Sequence, residues 1–330
     1  MGFWSAYQSS LKPADVDEPI DVWVHRPLGY IVAKLAAPTR VTPNQITAVS
    51  FSFAVLAGGL LFSSFPGHLP AAGVSIFLGQ VFDCADGQLA RMQKSGTPFG
   101  RMLDGSADGI GSVIVGAGAT YVTWSMFREP TWHAAIAVIT CLATIYECHV
   151  HSMAYDHYKN VFTRMTTPER SEGDDLEDIL QRAEEAQKNH EPLLARFALR
   201  MYVGFLTRQR AIIRDLDPYT HLHLKDLPRY TPERAAIYRR HALTPMRLWK
   251  SLYGVGLVMF GIALFYGIGH PEILIALRLV IWNGVLWIYL GPAQRRASRE
   301  AFREMAALPT GEDAPDGAST AEDRRAPARG

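Results

Sequence analysis

The run VFDCADGQLARMQKSGTPFGRMLDGSADG occupies residues 81–109 and joins two apolar segments through a polar link. It carries four aspartates in two pairs, Asp83 with Asp86 and Asp104 with Asp108. In a helix, spacings of three and four residues place each pair on one face. Because apolar residues flank both pairs, we expect the carboxylates to lie where hydrocarbon meets the cytoplasm.

Four carboxylates held this close repel one another strongly where the dielectric constant is low. Divalent cations bound between them remove this repulsion, and a ligand set made only of oxygen favours Mg²⁺ or Mn²⁺. We therefore predict a metal site on Asp83, Asp86, Asp104 and Asp108, with two ions expected. The alternative is a pair of acidic helix ends that face water. That alternative explains the carboxylates but not the glycine, alanine and arginine residues at fixed positions between them.

The residues between the two pairs narrow the chemistry further. Gly87 and Ala90 leave the face that carries the first pair without bulky side chains, so a flat ligand can approach the helix backbone. Arg91 and Arg101 carry guanidinium groups suited to phosphate oxygens. Gly100 allows a tight turn before the second helix.

Together these positions form the pattern D-x-x-D-G-x-x-A-R-x8-G-x3-D-x3-D, which resembles the signature of the CDP-alcohol phosphotransferases. Every fixed position of that signature is matched in this chain. The resemblance covers residues 26–154 well and the last two apolar segments only by position. It implies an integral membrane enzyme in which an alcohol displaces CMP from a CDP-linked donor and forms a phosphodiester.

The resemblance also implies roles for single residues. Asp83, Asp86 and Asp104 bind the metal ions, and Asp108 is the general base and also touches the second ion. The expected nucleotide- and phosphate-binding residues are Asn44, Gly87, Ala90, Arg91 and Gly100.

The composition excludes several other classes. The chain has 330 residues, of which 48% are hydrophobic, and a formal net charge of +1, so no basic excess points to nucleic acid. Its three cysteines cannot all pair, and their spacing fits neither a disulfide framework nor a zinc ribbon. The first residues lack a basic segment followed by an apolar run, so we expect no cleaved signal peptide.

The apolar segments predict an all-α polytopic membrane protein with six transmembrane helices, at about 45–65, 70–82, 104–127, 132–154, 248–268 and 272–291. The second helix is expected to continue through the signature to about residue 94. Residues 19–38 mix aromatic, aliphatic and basic side chains and suit an interfacial helix that starts near Pro27. Residues 1–18 are polar and are expected to be a loose lead.

Five regions follow from this pattern. They are an N-terminal cytoplasmic and interfacial segment (1–44), four transmembrane helices with the signature (45–154), a cytoplasmic helical insertion (155–247), two further transmembrane helices (248–292) and a cytoplasmic tail (293–330) that is largely disordered after 308. Arginine and lysine are concentrated in the signature loop, the insertion and the tail, so the positive-inside rule places these parts and both termini in the cytoplasm. We expect a homodimer in the inner, cytoplasmic membrane.

The insertion contains two predicted helices. Residues 172–190 are strongly charged, and residues 192–214 have apolar residues at helical spacing together with five arginines. The second helix fits two interpretations equally well. It is either an interfacial helix attracted to anionic lipid or a soluble cover over the active site.

Three further residues are candidates for contact with the acceptor: Arg101, Glu147 and Arg278. Glu147 shares a helix face with His151, which is compatible with metal binding but fits a polar membrane edge or an acceptor-pocket wall better. A charged Glu147 in the cavity favours a hydroxyl-rich or cationic acceptor. An arginine inside an apolar span is costly, so Arg278 is expected either to bind phosphate or acceptor or to form a structural ion pair.

The simplest donor is CDP-diacylglycerol, whose acyl chains remain in the bilayer while the nucleotide reaches the carboxylates. The residues from Arg26 to Thr47 and the signature look most like the branch of the family that handles inositol phosphate or similar polyols. Three alternatives remain: a CDP-choline or CDP-ethanolamine type of transfer to diacylglycerol, an aspartate-rich prenyltransferase, and a non-enzymatic cation transporter.

Overall fold

The computed structural model describes residues 7–8, 11, 13–95, 97–168, 175–224, 227–228 and 230–308, without the side chains of Pro98, Phe99 and Arg101. Within these residues the regular structure is helical and contains no β-strand, as the sequence predicted. The predicted disordered tail after residue 308 lies outside the described residues.

A π-helical turn, Asp21–His25, leads into α1 (Arg26–Ala36). The apolar bundle and the insertion then follow in chain order. These helices are α2 (Pro43–Leu61), α3 (His68–Gln93), α4 (Pro98–Met126), α5 (Thr131–Thr166), α6 (Leu176–Lys188), α7 (Leu193–Leu216), α8 (Pro218–His223), α9 (Pro232–Leu252), α10 (Val255–Gly267) and α11 (Pro271–Ala276). Two π-helical segments, Leu277–Trp282 and Val285–Leu290, continue α11 into α12 (Gly291–Ala306).

Local sequence explains where two helices of the bundle, α2 and α4, begin. Thr42 and Gln45 form a reciprocal capping box at the start of α2, with Pro43 in the first turn. The Thr97 hydroxyl accepts a hydrogen bond from the Gly100 N–H at the start of α4. This cap starts α4 at Pro98, before the predicted start at 104, and so places Asp104 and Asp108 inside a regular helix.

Two predicted spans differ from the observed helices. Helix α5 continues to Thr166 rather than 154, because its last turns bury Tyr158, Phe162 and Met165 against the insertion. The predicted span at 248–268 is divided between α9 and α10, and α9 runs across the expected boundary at 247.

Among the residues that the structure describes, four helical stretches are long and apolar enough to cross a membrane: Pro43–Leu61, Thr131–Thr166, Pro232–Gly267 and Pro271–Ala306. The chain is thus an integral membrane protein in which α3 and α4 carry the signature carboxylates. The mainly apolar part of α3 ends at Asp83, where the polar signature begins, so its hydrophobic stretch is short. The count of six spans stays a prediction.

Glycines let each signature helix pack closely on a neighbouring helix. An added Cβ at Gly118 of α4 would lie 2.7 Å from Leu61 Cβ of α2, and one at Gly73 of α3 would lie 2.4 Å from the Ala263 carbonyl oxygen of α10. Both distances are shorter than real side-chain contacts, so these helices pack backbone to backbone there. Close packing thus holds α4 against α2 and α3 against α10.

The expectation that residues 1–18 form a loose lead is wrong for the part the structure describes. Asp17 is buried and forms a 2.8 Å ion pair with Arg26. Tyr155 donates a hydrogen bond to the Val16 carbonyl oxygen at 2.7 Å. Glu18 fills the space beside Gly254 and accepts a hydrogen bond from the Leu257 N–H. The polar composition of residues 1–18 had suggested that they are exposed to solvent. In the structure Asp17 and Glu18 instead contact residues elsewhere in the chain.

Candidate active site

Three of the four signature aspartates come together at the ends of α3 and α4. Carboxylate oxygens of Asp83, Asp104 and Asp108 all lie within 4.8 Å of one another. Asp83 and Asp104 are half-buried, and Asp108 is exposed. Two helices separated by the signature loop therefore contribute to one acidic site, as their spacing predicted.

Asp86 occupies a different environment. It is 5% exposed, and its Oδ2 accepts a 2.5 Å hydrogen bond from the hydroxyl of Thr47 on α2. Among the described residues, the cluster within 4.8 Å does not include it. Its role as a metal ligand stays a prediction. Thr47 was not among the predicted site residues. The only feature of the sequence that could have indicated its role is a hydroxyl group within an apolar helix.

The donor chemistry of the cluster fits a divalent cation. Three carboxylates from two rigid helices offer only oxygen ligands, which Mg²⁺ and Mn²⁺ prefer. A cation between them removes the repulsion among three negative charges at this distance. Asp83, Asp104 and Asp108 are therefore able to hold a metal ion.

The predicted nucleotide- and phosphate-binding residues lie on α3, at the start of α4 and at the start of α2. The Arg91 guanidinium Nη1 lies 3.4 Å from the position that a Cβ at Gly87 would take, so the arginine lies over the glycine. A Cβ at Gly100 would lie 3.3 Å from Asn44 Oδ1, which brings the start of α2 to the start of α4. Ala90 is half-buried on α3, and the Arg101 side chain lies outside the described part.

The two glycines beside Asp104 and Asp108 have different surroundings. A Cβ added at Gly105 would meet nothing within 4 Å among the described residues, whereas one at Gly109 would lie 3.6 Å from Met201 Cε of α7. The open side at Gly105 leaves room for a ligand beside the carboxylates. The contact at Gly109 places the second helix of the insertion next to the site.

Glu147 and Arg278 form an ion pair, one of the two alternatives for the arginine. Arg278 Nη2 lies 3.4 Å from Glu147 Oε1, which also contacts His151 Nδ1 at 2.6 Å. Arg278 is 2% exposed and lies over the Trp282 ring at 5.6 Å. The negative charge of Glu147 therefore lies against the Arg278 guanidinium. Contact of either residue with the acceptor stays a prediction.

The residues that form this site also match a known protein family. Residues 40–167 match the family model described as CDP-alcohol phosphatidyltransferase, and they contain α2 to α5 with the carboxylate cluster. This region of the chain is therefore similar to a CDP-alcohol phosphatidyltransferase domain.

The chain is also similar to several curated proteins over part of its length. Over 112 residues the chain is 44% identical to a phosphatidylinositol phosphate synthase from Corynebacterium glutamicum, and the match covers 34% of this chain and 49% of the relative. A protein with the same description from Mycobacteroides abscessus is 32% identical over 103 residues, with shares of 31% and 45%. The bifunctional IPC transferase and DIPP synthase of Thermococcus kodakarensis is 29% identical over 125 residues, with shares of 38% and 26%. The chain spans half or less of the length of these relatives.

Proposed function

We propose that the protein transfers a substituted phosphate group from a CDP-linked lipid, CDP-diacylglycerol, to a hydroxyl-bearing acceptor and releases CMP. The observation that carries this proposal is the carboxylate cluster of Asp83, Asp104 and Asp108, which lies inside the matched domain and beside the open side of Gly105. The descriptions of the relatives favour an inositol phosphate as the acceptor. The enzyme then belongs to phospholipid biosynthesis.

Asp83, Asp104 and Asp108 would hold Mg²⁺ or Mn²⁺, with Asp86 turning toward a second ion. The bound ions would neutralise the diphosphate of the donor. Arg91 lies over Gly87 and presents its N–H groups where phosphate oxygens would approach. Gly87 and Ala90 leave the helix surface open for the cytidine, and Asn44 lies at the neighbouring helix start.

Asp108 is the residue placed to take a proton. It is exposed, and it lies one helical turn from Asp104 on α4. The acceptor oxygen forms a bond to the phosphorus that bears the diacylglycerol, and the bond from that phosphorus to the bridging oxygen breaks. The hydroxyl proton passes to the Asp108 carboxylate, and CMP leaves with the bridging oxygen.

The location of the enzyme is part of the same proposal. The basic loops favour an orientation in which the carboxylate cluster, the insertion and both termini face the cytoplasm, with the protein in the inner membrane. A homodimer and six spans are also proposed. Arg101 is retained as a candidate acceptor contact, while Glu147 and Arg278 would act by shaping the acceptor-side wall.

The deciding experiment is a CMP-release assay on the purified protein with CDP-diacylglycerol and Mg²⁺. The acceptor panel is inositol phosphate, glycerol phosphate, serine, choline and free inositol, and the matched control is Asp108→Asn. We expect CMP with inositol phosphate and the corresponding phospholipid as the second product. Pyrophosphate release from a prenyl diphosphate, or Mg²⁺ transport into liposomes without nucleotide-dependent turnover, would contradict the proposal.

A further inference from the structure

Helix α7 of the insertion lies beside the bundle and bridges two of its helices. Its Met201 contacts the backbone of α4 at Gly109, and its Gln209 donates a 3.0 Å hydrogen bond to the Met153 carbonyl oxygen of α5. From Met201 toward its N-terminus, α7 therefore runs away from α5 and past α4. At a rise of about 1.5 Å per residue, Leu194 lies roughly 10 Å beyond the contact with α4.

The contact with α4 shows where α7 lies along the bundle, relative to the point at which the apolar surface of α4 begins. Gly109 and Val113 share one face of α4, since they are four residues apart. Val113 lies one turn farther along the apolar helix and is 72% exposed. A helix packed on Gly109 thus lies at the point where the apolar surface of α4 begins and where Asp108 contributes to the polar cluster.

One stripe of α7 is exposed along the whole helix. Its N-terminal end is apolar, because Leu193 is 77% exposed, Leu194 57% and Phe197 49%. Farther along the same stripe, at helical spacing, Arg200 and Arg208 are exposed. Neither arginine forms an ion pair within the part of the chain that the structure describes.

Two of the other arginines of α7 form ion pairs within the protein. Arg210 contacts Glu177 of α6 at 2.8 Å, and Arg214 contacts Asp215 at 3.0 Å. The opposite side of α7 is buried through small and apolar residues: Ala195, Ala198, Leu199, Leu206 and Ile213. The exposed stripe is therefore apolar at one end and basic at the other.

We propose that this stripe of α7 docks on the surface of an anionic phospholipid bilayer. Leu193, Leu194 and Phe197 enter the boundary between headgroups and acyl chains, and Arg200 and Arg208 bind lipid phosphates. An apolar face combined with basic residues is the composition that binds such surfaces. The insertion then anchors to the membrane next to the carboxylate cluster, which goes beyond the proposed transfer reaction and does not depend on it.

The first test measures depth in the membrane. Leu194→Cys is labelled with the fluorophore NBD in full-length protein, which is reconstituted in phosphatidylglycerol-containing nanodiscs with a nitroxide on the upper acyl chain. We expect quenching about twofold or more above that at Glu184→Cys, an exposed matched site on α6 of the same insertion. Protein without an added cysteine corrects for Cys148, since Cys84 and Cys141 are buried. Equal quenching at positions 184 and 194 would overturn the proposal.

The second test concerns charge. In the Leu194→Cys background, Arg200→Gln with Arg208→Gln should lower the quenching in phosphatidylglycerol to the level seen in neutral phosphatidylcholine. The matched pair Arg200→Lys with Arg208→Lys should retain it. Quenching that is the same in neutral and anionic nanodiscs would overturn the anionic surface as the partner. Energy transfer between differently labelled copies without lipid quenching would assign the stripe to a second copy instead.

Discussion

Asp83 and Asp108 contribute oxygens to one cluster from different helices and with different exposure. In the proposed reaction the exposed Asp108 receives the proton, and Asp83 on α3 binds the metal ion that neutralises the diphosphate. We expect Asp108→Asn to lower CMP release by about 10²–10⁴-fold while most CDP binding remains. Turnover assays and binding of CDP to the purified protein measure the two effects separately. A loss of CDP affinity equal to that of Asp83→Asn would contradict these roles.

Thr47 is a positioning residue for Asp86. Its hydroxyl donates the 2.5 Å hydrogen bond to the buried carboxylate. Thr47→Val keeps the shape but removes the donor, at a cost of about 1–3 kcal/mol for leaving a buried carboxyl oxygen without its hydrogen bond. We expect a higher Mg²⁺ concentration for half-maximal activity, and Thr47→Ser should restore the wild-type value. The same Mg²⁺ dependence in Thr47→Val and wild type would show that this hydrogen bond does not orient Asp86.

At the scale of helices, the pair Glu147–Arg278 joins α5 to the π-helical segment after α11. Arg278→Gln leaves a buried carboxylate without its cation, so we expect a loss of about 3–5 kcal/mol in the free energy of unfolding. The double variant Glu147→Gln with Arg278→Met should recover part of this loss. Thermal unfolding in detergent tests both. An unchanged unfolding temperature with a raised KM for the acceptor would assign Arg278 to acceptor binding instead.

The packing of α3 on α10 depends on Gly73. A Cβ there would lie 2.4 Å from a backbone oxygen of α10, so Gly73→Ala should push the helices apart and lower the unfolding temperature. Gly59→Ala on α2 is the matched control, because its Cβ would meet nothing within 4 Å among the described residues. Helix propensity alone favours alanine by about 1 kcal/mol, so the control should be neutral or stabilised. Equal effects of the two substitutions would argue against close packing at Gly73.

At the scale of the whole molecule, the basic residues predict the orientation in the membrane. Ser64 lies between α2 and α3 on the side opposite the signature, and Glu184 lies in the insertion. In intact cells, a membrane-impermeant maleimide should label Ser64→Cys but not Glu184→Cys, and the latter should react only after permeabilisation. Protein without an added cysteine reports any labelling of Cys148. The reverse pattern would overturn the orientation derived from charge.

The local chemistry of the sequence predicted the acidic site because the relevant spacings are short. Two aspartates three or four residues apart share a helix face wherever that helix forms, and the constrained residues between the pairs distinguish a ligand site from solvated helix ends. The same short-range logic located α6 and α7 of the insertion. Helix starts were less accurate where a cap decided them, as Thr97 does for α4.

The sequence by itself determined an all-helical membrane protein with an acidic site, because helix periodicity, hydrophobic length and charge are properties of neighbouring residues. Only the tertiary structure decided which residues meet across helices. It paired Arg278 with Glu147, gave Asp86 the hydroxyl of Thr47, buried Asp17 against Arg26 and placed Met201 on Gly109. These contacts depend on how close two backbones approach, and that distance follows from the packing of whole helices rather than from any local pattern.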